Sequence, residues 1–269
     1  MLKQRILTAL VLIPITLLLL FYLPPAYFAL LTALITLLAA KEWAHLMGLR
    51  RFFPVLLYVG FIALLLWASL FILVQLLLFI AAAWWICASL VVFIYPRGSS
   101  WWGKGVIWRG LMGVIVLIPC WVAFNYIRNQ PDGIYALLYL FVLTWGADSA
   151  AYFVGKKWGK TKLLPLVSPG KTWEGLIGAV LFGIGLAVLA QWLCSIPKTI
   201  WHWGILLSML TVLFSIMGDL FESALKRQEN LKDSGQLLPG HGGLLDRIDS
   251  MTAAAPIFAT GATLLGMYL

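Results

Sequence analysis

Between Ser215 and Asp249 the chain carries acids, cations, a hydroxyl and glycines at spacings that chemistry could use. In SIMGDLFESALKRQ, Asp219, Glu222, Ser223 and Lys226 fall at i, i+3, i+4 and i+7, which is one face of a helix. Downstream, PGHGGLLDRID supplies Gly240, Gly242 and Gly243, then Asp246 and Asp249 three residues apart, then an apolar run. Glycines ahead of a helix let backbone N–H groups approach an anion, and the helix N-terminus favours negative charge. Carboxylates, open amides and Lys/Arg together form the set that a metal-bound polyphosphate requires. Carboxylates hold Mg²⁺, while cations and amides take phosphate oxygens. Plainer roles exist for the same residues, because acids cap helix N-termini and ion pairs decorate solvated helix ends.

A second group lies upstream, in WGADSAAYFVGKKWGKTKLLPLVSPGKTWEG. Asp148 sits within an apolar run, about six residues or roughly 9 Å from the run's end if helical. An acid at bilayer depth costs about 2.5–3.5 kcal/mol on insertion scales, so it is a functional candidate unless a buried cation pairs with it. The tripeptide GKT occurs at Gly159–Thr161 and again at Gly170–Thr172. Neither is a P-loop: Val154 and Pro165 stand where the leading glycine belongs, and no strand precedes them. Lys156, Lys157, Lys160 and Lys162 make a basic loop suited to phosphate or to the membrane surface.

These groups must be positioned by membrane-spanning helices. The chain has 269 residues, 62% hydrophobic and only 11% charged, too little charge to solvate a soluble domain of this size. Apolar runs near the roughly 20 residues that cross a bilayer predict an all-α polytopic protein of about nine spans. They lie near 6–23, 26–46, 53–71, 75–95, 106–126, 134–154, 174–194, 200–221 and 250–269, with a tight turn between Ser69 and Gln75. With a cytoplasmic N-terminus, the 19 Lys and Arg divide about 17 to 2 in favour of the cytoplasm, Arg128 and Lys198 being the exceptions. The C-terminus is then periplasmic, and the charged loops 155–173 and 222–250 face the cytoplasm of a bacterial-type inner membrane. Of the acids, Glu42 and Asp132 alone precede Asp148. Residues 1–133 therefore read as scaffold and 134–269 as the catalytic region. Asp132 and Glu229 are expected to lie off the site. Cys87, Cys120 and Cys194 sit singly in apolar runs, with neither disulfide nor zinc spacing.

One pattern joins these residues. Ser223-x-Leu225-Lys226-Arg227, four residues, Lys232-Asp233-x-Gly235, two residues, then Leu238-Pro239-x-His241-Gly242-Gly243-Leu244-x-Asp246-Arg247-Ile248-Asp249 resembles the signature of the phosphatidate cytidylyltransferases, or CDP-diacylglycerol synthases. The upstream SPGKTWEG (Ser168–Gly175) is similar to that family as well. The resemblance implies that CTP and phosphatidate give CDP-diacylglycerol and pyrophosphate with Mg²⁺, in phospholipid biosynthesis, and it suggests a homodimer. On this reading Asp219, Asp246 and Asp249 are metal ligands, and Asp148 assists or orients a cation. Lys226, Arg227, Lys232, Arg247 and Lys171 contact phosphates. Ser223 and His241 hydrogen-bond phosphate or a carboxylate, and Gly242 and Gly243 expose amides. A CTP-dependent lipid kinase and an ion-coupled transporter are the alternatives. No base-edge contact is visible, so cytidine preference rests on the resemblance, and nucleic acid is not an expected partner.

Overall fold

The computed structural model describes residues 13–96, 104–235 and 242–266. Nine α-helices run among the described residues: α1 (Ile13–Tyr22), α2 (Pro25–Leu46), α3 (Phe52–Ser69), α4 (Val74–Phe93), α5 (Val106–Arg128), α6 (Gly133–Trp158), α7 (Trp173–Leu193), α8 (Trp201–Gln228) and α9 (Leu245–Leu264). Seven of them, α2 to α8, are long and apolar enough to cross a bilayer, α8 together with the short 3-10 turn that precedes it. The protein is a multi-pass, α-helical membrane protein. Each of the nine apolar runs of the sequence overlaps one of these helices, including the pair divided by a turn after Ser69; residues 6–12 of the first run and 267–269 of the last lie outside the described residues.

The boundaries differ where charge misled the reading. α6 continues through Lys156 and Lys157 to Trp158, so Asp148 lies ten residues, roughly 15 Å, from its end rather than six. α8 runs to Gln228 and α9 begins at Leu245, which shortens the charged connection between them. Charged residues are good helix formers once they reach the water beyond the core, so the end of an apolar run is not the end of a helix.

The chain is also not wholly helical. Between α6 and α7 stands a small antiparallel hairpin, β1 (Lys162–Leu164) and β2 (Ser168–Thr172), with Lys162 opposite Thr172 and Leu164 opposite Ser168. Leu163 and Val167 are buried, which fixes the hairpin against the helices. Thr172 then caps α7: its backbone is extended and its Oγ1 accepts the Gly175 N–H at 3.1 Å. The Glu174 carboxylate reaches back to the Thr161 N–H at 3.1 Å. SPGKTWEG thus spells a strand, a cap and a clamp in eight residues.

Packing brings α6, α7, α8 and α9 together around the polar groups, with α2, α4 and α5 behind them. Gly218 permits a close backbone approach between α8 and α9. A Cβ there would lie 2.5 Å from the Asp249 carbonyl oxygen, so only glycine lets α9 lie this near α8. Further along α9, Pro256 has no N–H to give Thr252 O, and the indole Nε1 of Trp85 on α4 donates to that carbonyl instead, at 3.1 Å. At the other side of the bundle, Trp43 of α2 and Tyr58 of α3 donate to Arg109 O (2.9 Å) and Gly110 O (3.1 Å) on α5.

Candidate active site

A charged cleft of about 660 Å³ opens between the C-terminal parts of α6 and α8, the hairpin, and the starts of α7 and α9. Asp148, Lys171, Asp219, Lys226, Asp246, Arg247 and Asp249 all line it. Local structure explains the convergence. α6 and α8 run one way and α7 and α9 the other, so the ends that carry these residues meet at one face of the bundle.

Three ion pairs wire the cleft. Lys171, delivered by β2, places its Nζ 2.7 Å from Asp219 Oδ2, and Ser223 Oγ donates to Asp219 Oδ1 at 3.2 Å one turn along α8. Lys226 is buried, with its Nζ 2.7 Å from Asp246 Oδ1 and 3.1 Å from Glu222 Oε1. The Glu222 carboxylate is itself buried, and neither oxygen makes a hydrogen bond of good geometry despite its nearness to Lys226. Low local dielectric strengthens such pairs and makes an uncompensated charge costly.

Asp246 has a further task. Ser234 N–H donates to its two oxygens at 3.1 and 3.0 Å, and Gly243 N–H to Oδ2 at 2.7 Å. With Lys226 these donors fill most of its acceptor capacity, so Asp246, expected to be a metal ligand, is the knot that ties the α8–α9 connection to α8. The Gly243 amide is likewise spent within the protein, on Asp246, and Gly242, at φ +82°, supplies the left-handed turn beside it. Among the described residues, no group of three or more His, Cys, Asp or Glu side chains stands together as a metal-binding cluster. Asp219 and Asp249 remain at the cleft, Asp249 accepting the Ser250 N–H at 2.8 Å through Oδ1.

Not every expected contact reaches the cleft. Arg227 is exposed and donates from Nε to Val167 O at 3.2 Å, bracing the hairpin. Lys232 is exposed and does not line the cleft, whereas its neighbour Asp233 does. His241 lies outside the described residues. Glu229, expected to be idle, pairs with the buried Arg109 of α5 and lies 3.7 Å from Arg50. Arg109 also donates to Leu46 O at 2.8 Å, so Glu229 ties α8 to α2 and α5.

Comparison with known proteins matches residues 3–265 to the cytidylyltransferase family. The chain is 44% identical to a Pseudomonas aeruginosa protein named phosphatidate cytidylyltransferase, over 96% of both chains. It is 41% identical to a Haemophilus influenzae protein of that name, over 96% of this chain and 98% of the other. A Bacillus subtilis protein, also so named, is 43% identical over 54% of each chain. The chain belongs to the cytidylyltransferase family.

For this cytidylyltransferase-family chain, the residue that sequence reasoning missed most completely is Glu42. It lies in the presumed scaffold, on α2, and is buried. Its carboxylate accepts Leu244 N–H (2.9 Å), Leu245 N–H (2.7 Å) and Ser234 Oγ–H (3.1 Å). It therefore caps α9 from another helix, where the unpaired amides and the helix dipole favour an anion. A Cβ on Gly235 or Gly243 would fall within 2.5 Å of that carboxylate, which accounts for glycine at both positions. The one sequence signal was an acid, beside Lys41, near the end of a predicted span.

Proposed function

We propose that this protein is a CTP:phosphatidate cytidylyltransferase that transfers CMP from CTP to phosphatidate, releasing pyrophosphate and CDP-diacylglycerol for phospholipid synthesis. The observation that carries this reading is the convergence of Lys171, Lys226 and Arg247 with Asp148, Asp219 and Asp249 in one cleft of a multi-pass membrane protein. It is supported by the names of relatives that match nearly the whole chain.

The phosphatidate phosphate oxygen attacks the α-phosphorus of CTP as the bond to the pyrophosphate oxygen breaks. The nucleophile is already an anion, so no side chain has to remove a proton, and repulsion between two anions is the main obstacle. Lys171, Lys226 and Arg247 offset that repulsion by offering charge to phosphate oxygens in a cleft where fixed charges act strongly. Lys171 would exchange its pairing with Asp219 for a phosphate as the nucleotide enters. Asp219 and Asp249 would hold Mg²⁺, since one or two carboxylates together with substrate phosphates suffice for that ion. When bound, Mg²⁺ supplies positive charge to the triphosphate. Ser223 keeps the Asp219 carboxylate oriented, and Asp148 holds a cation of the cleft toward the reacting phosphates. Lys226 and Asp246 keep the start of α9 in place.

The cleft faces the cytoplasm in this reading, with the N-terminus inside, nine spans in an inner membrane, and two copies forming a dimer. The test is to supply purified protein with phosphatidate and CTP labelled at the α- or the γ-phosphate. Label from α-CTP in a CDP-lipid is the expected result. Label from γ-CTP in the lipid would make it a lipid kinase, and no labelled lipid from either would overturn the reading.

A further inference from the structure

We propose that a second, apolar chamber beside the charged cleft is the acyl-chain site for the lipid substrate, with Arg247 at the junction holding the lipid phosphate. The inference rests on the reading above that the substrate is a phosphatidic acid.

The chamber has a volume of about 470 Å³ and lies between α1, α2, α5, α6 and α9. That is within the range of roughly 300–1,000 Å³ typical of ligand sites. Its wall is formed by groups such as Leu20, Phe28, Phe124, Phe141 and Met251. The wall holds three threonines, Thr16, Thr32 and Thr36, and most of its remaining residues are apolar. Thr32 and Thr36 each turn the hydroxyl back to a carbonyl of their own helix, Phe28 O and Thr32 O, both at 2.8 Å. Their methyl groups are what an apolar ligand would meet.

The chamber and the charged cleft share two lining residues, Trp145 of α6 and Arg247 of α9. α9 explains how one helix serves both. Leu244, Ile248 and Met251 recur at i, i+4 and i+7 and face the chamber, whereas Asp246, Asp249 and Ser250 line the cleft. Arg247 lies between the two faces. A largely apolar chamber that meets a charged cleft at a guanidinium matches an amphiphile with an anionic head and a hydrocarbon tail. A purely apolar guest would have no use for the cation, and a nucleotide no use for the chamber. Arg247 is thereby assigned to the lipid phosphate, leaving Lys171 and Lys226 nearer the nucleotide.

Two measurements on the full-length protein in mixed micelles test this. A phosphatidate carrying a diazirine at the end of one acyl chain should crosslink to chamber residues of α2, α5 or α9. Excess dioleoyl phosphatidate should block that labelling and CTP should not. In kinetics, Thr36→Phe fills the chamber and should raise KM for dioleoyl phosphatidate roughly tenfold, while KM for dioctanoyl phosphatidate and for CTP stays within about twofold. Arg247→Ala should raise KM for both lipids and leave KM for CTP near wild type. Crosslinks confined to the outer faces of α3 and α4, or a Thr36→Phe effect independent of chain length in a folded protein, would overturn the proposal. So would an Arg247→Ala defect confined to CTP. If wild-type protein makes no CDP-lipid at all, it is the functional reading that fails, and the crosslinks still decide whether the chamber takes acyl chains.

Discussion

Lys226 and Asp219 differ in what they are free to do. Lys226 is buried and committed to Asp246 and Glu222, so it serves structure as much as substrate, whereas Asp219 pairs with the more exposed Lys171 of the hairpin. Asp219→Asn and Asp249→Asn should therefore lower turnover about 10²–10³-fold, or roughly 3–4 kcal/mol of transition-state stabilisation, with the protein still inserted and folded. Added Mg²⁺ should partly restore the weaker of the two; full activity of the double variant at ordinary Mg²⁺ would end their assignment. Asp246→Asn should behave differently. It discards one acceptor charge facing Lys226 and two backbone N–H groups, so loss of thermal stability should accompany loss of activity. Glu42→Gln tests the same knot from the scaffold. Its amide NH₂ would face N–H donors, and unfolding in detergent should show about 1–3 kcal/mol less stability. Asp132→Asn is the fitting neutral control, being exposed at the start of α6; Glu229→Gln is not, because it would leave Arg109 buried without its carboxylate. The cluster of Asp219, Asp246, Asp249 and Lys226 was legible because α8 and α9 adjoin in sequence. Glu42 was not, since its partners lie about 200 residues away and no local spacing reports such a contact.

The elements repeat this contrast. Apolar runs of bilayer length announce helices directly, because a helix satisfies nearly all of its backbone polar groups within its own segment, as the hydrocarbon region requires. The β1–β2 hairpin gave no such signal. Its strands have three and five residues, and Pro and Gly occur where alternation would be looked for. What holds it is a set of contacts outside itself: the Thr172 cap, the Glu174 clamp on Thr161 N–H and the Arg227 bond to Val167 O. The hairpin's function is to carry Lys171 to Asp219. Thr172→Val should remove the cap, costing about 0.5–2 kcal/mol locally. Faster hydrogen exchange over residues 161–175 and a raised KM for CTP, with KM for the lipid little changed, are the expected readouts. Unchanged exchange there would mean that the cap does not hold the hairpin.

At the scale of the whole molecule, the question is which way the charged end points. The C-terminal ends of α6 and α8, the hairpin and the N-terminal ends of α5 and α9 carry Arg109, Lys156, Lys157, Lys171, Lys226, Glu229, Asp246 and Arg247, and the Arg109–Glu229 and Lys226–Asp246 pairs join these ends across the bundle. Alternating helices keep this set on one membrane side in either orientation. Arg128, at the end of α5, and Lys198, just before α8, belong to the opposite side. The orientation proposed above keeps most of the positive charge in the cytoplasm, and it gives a water-soluble nucleotide access to the cleft. A reporter inserted after Ser234 should therefore read as cytoplasmic and one fused after Leu269 as periplasmic. Moving charge tests the cause: extra lysines in the 195–199 turn should weaken insertion or mix the topology, whereas the same lysines near Lys160 should leave it unchanged. Both reporters on one side would break the alternation across α9, and a periplasmic Ser234 would place the charged cleft where CTP does not reach it.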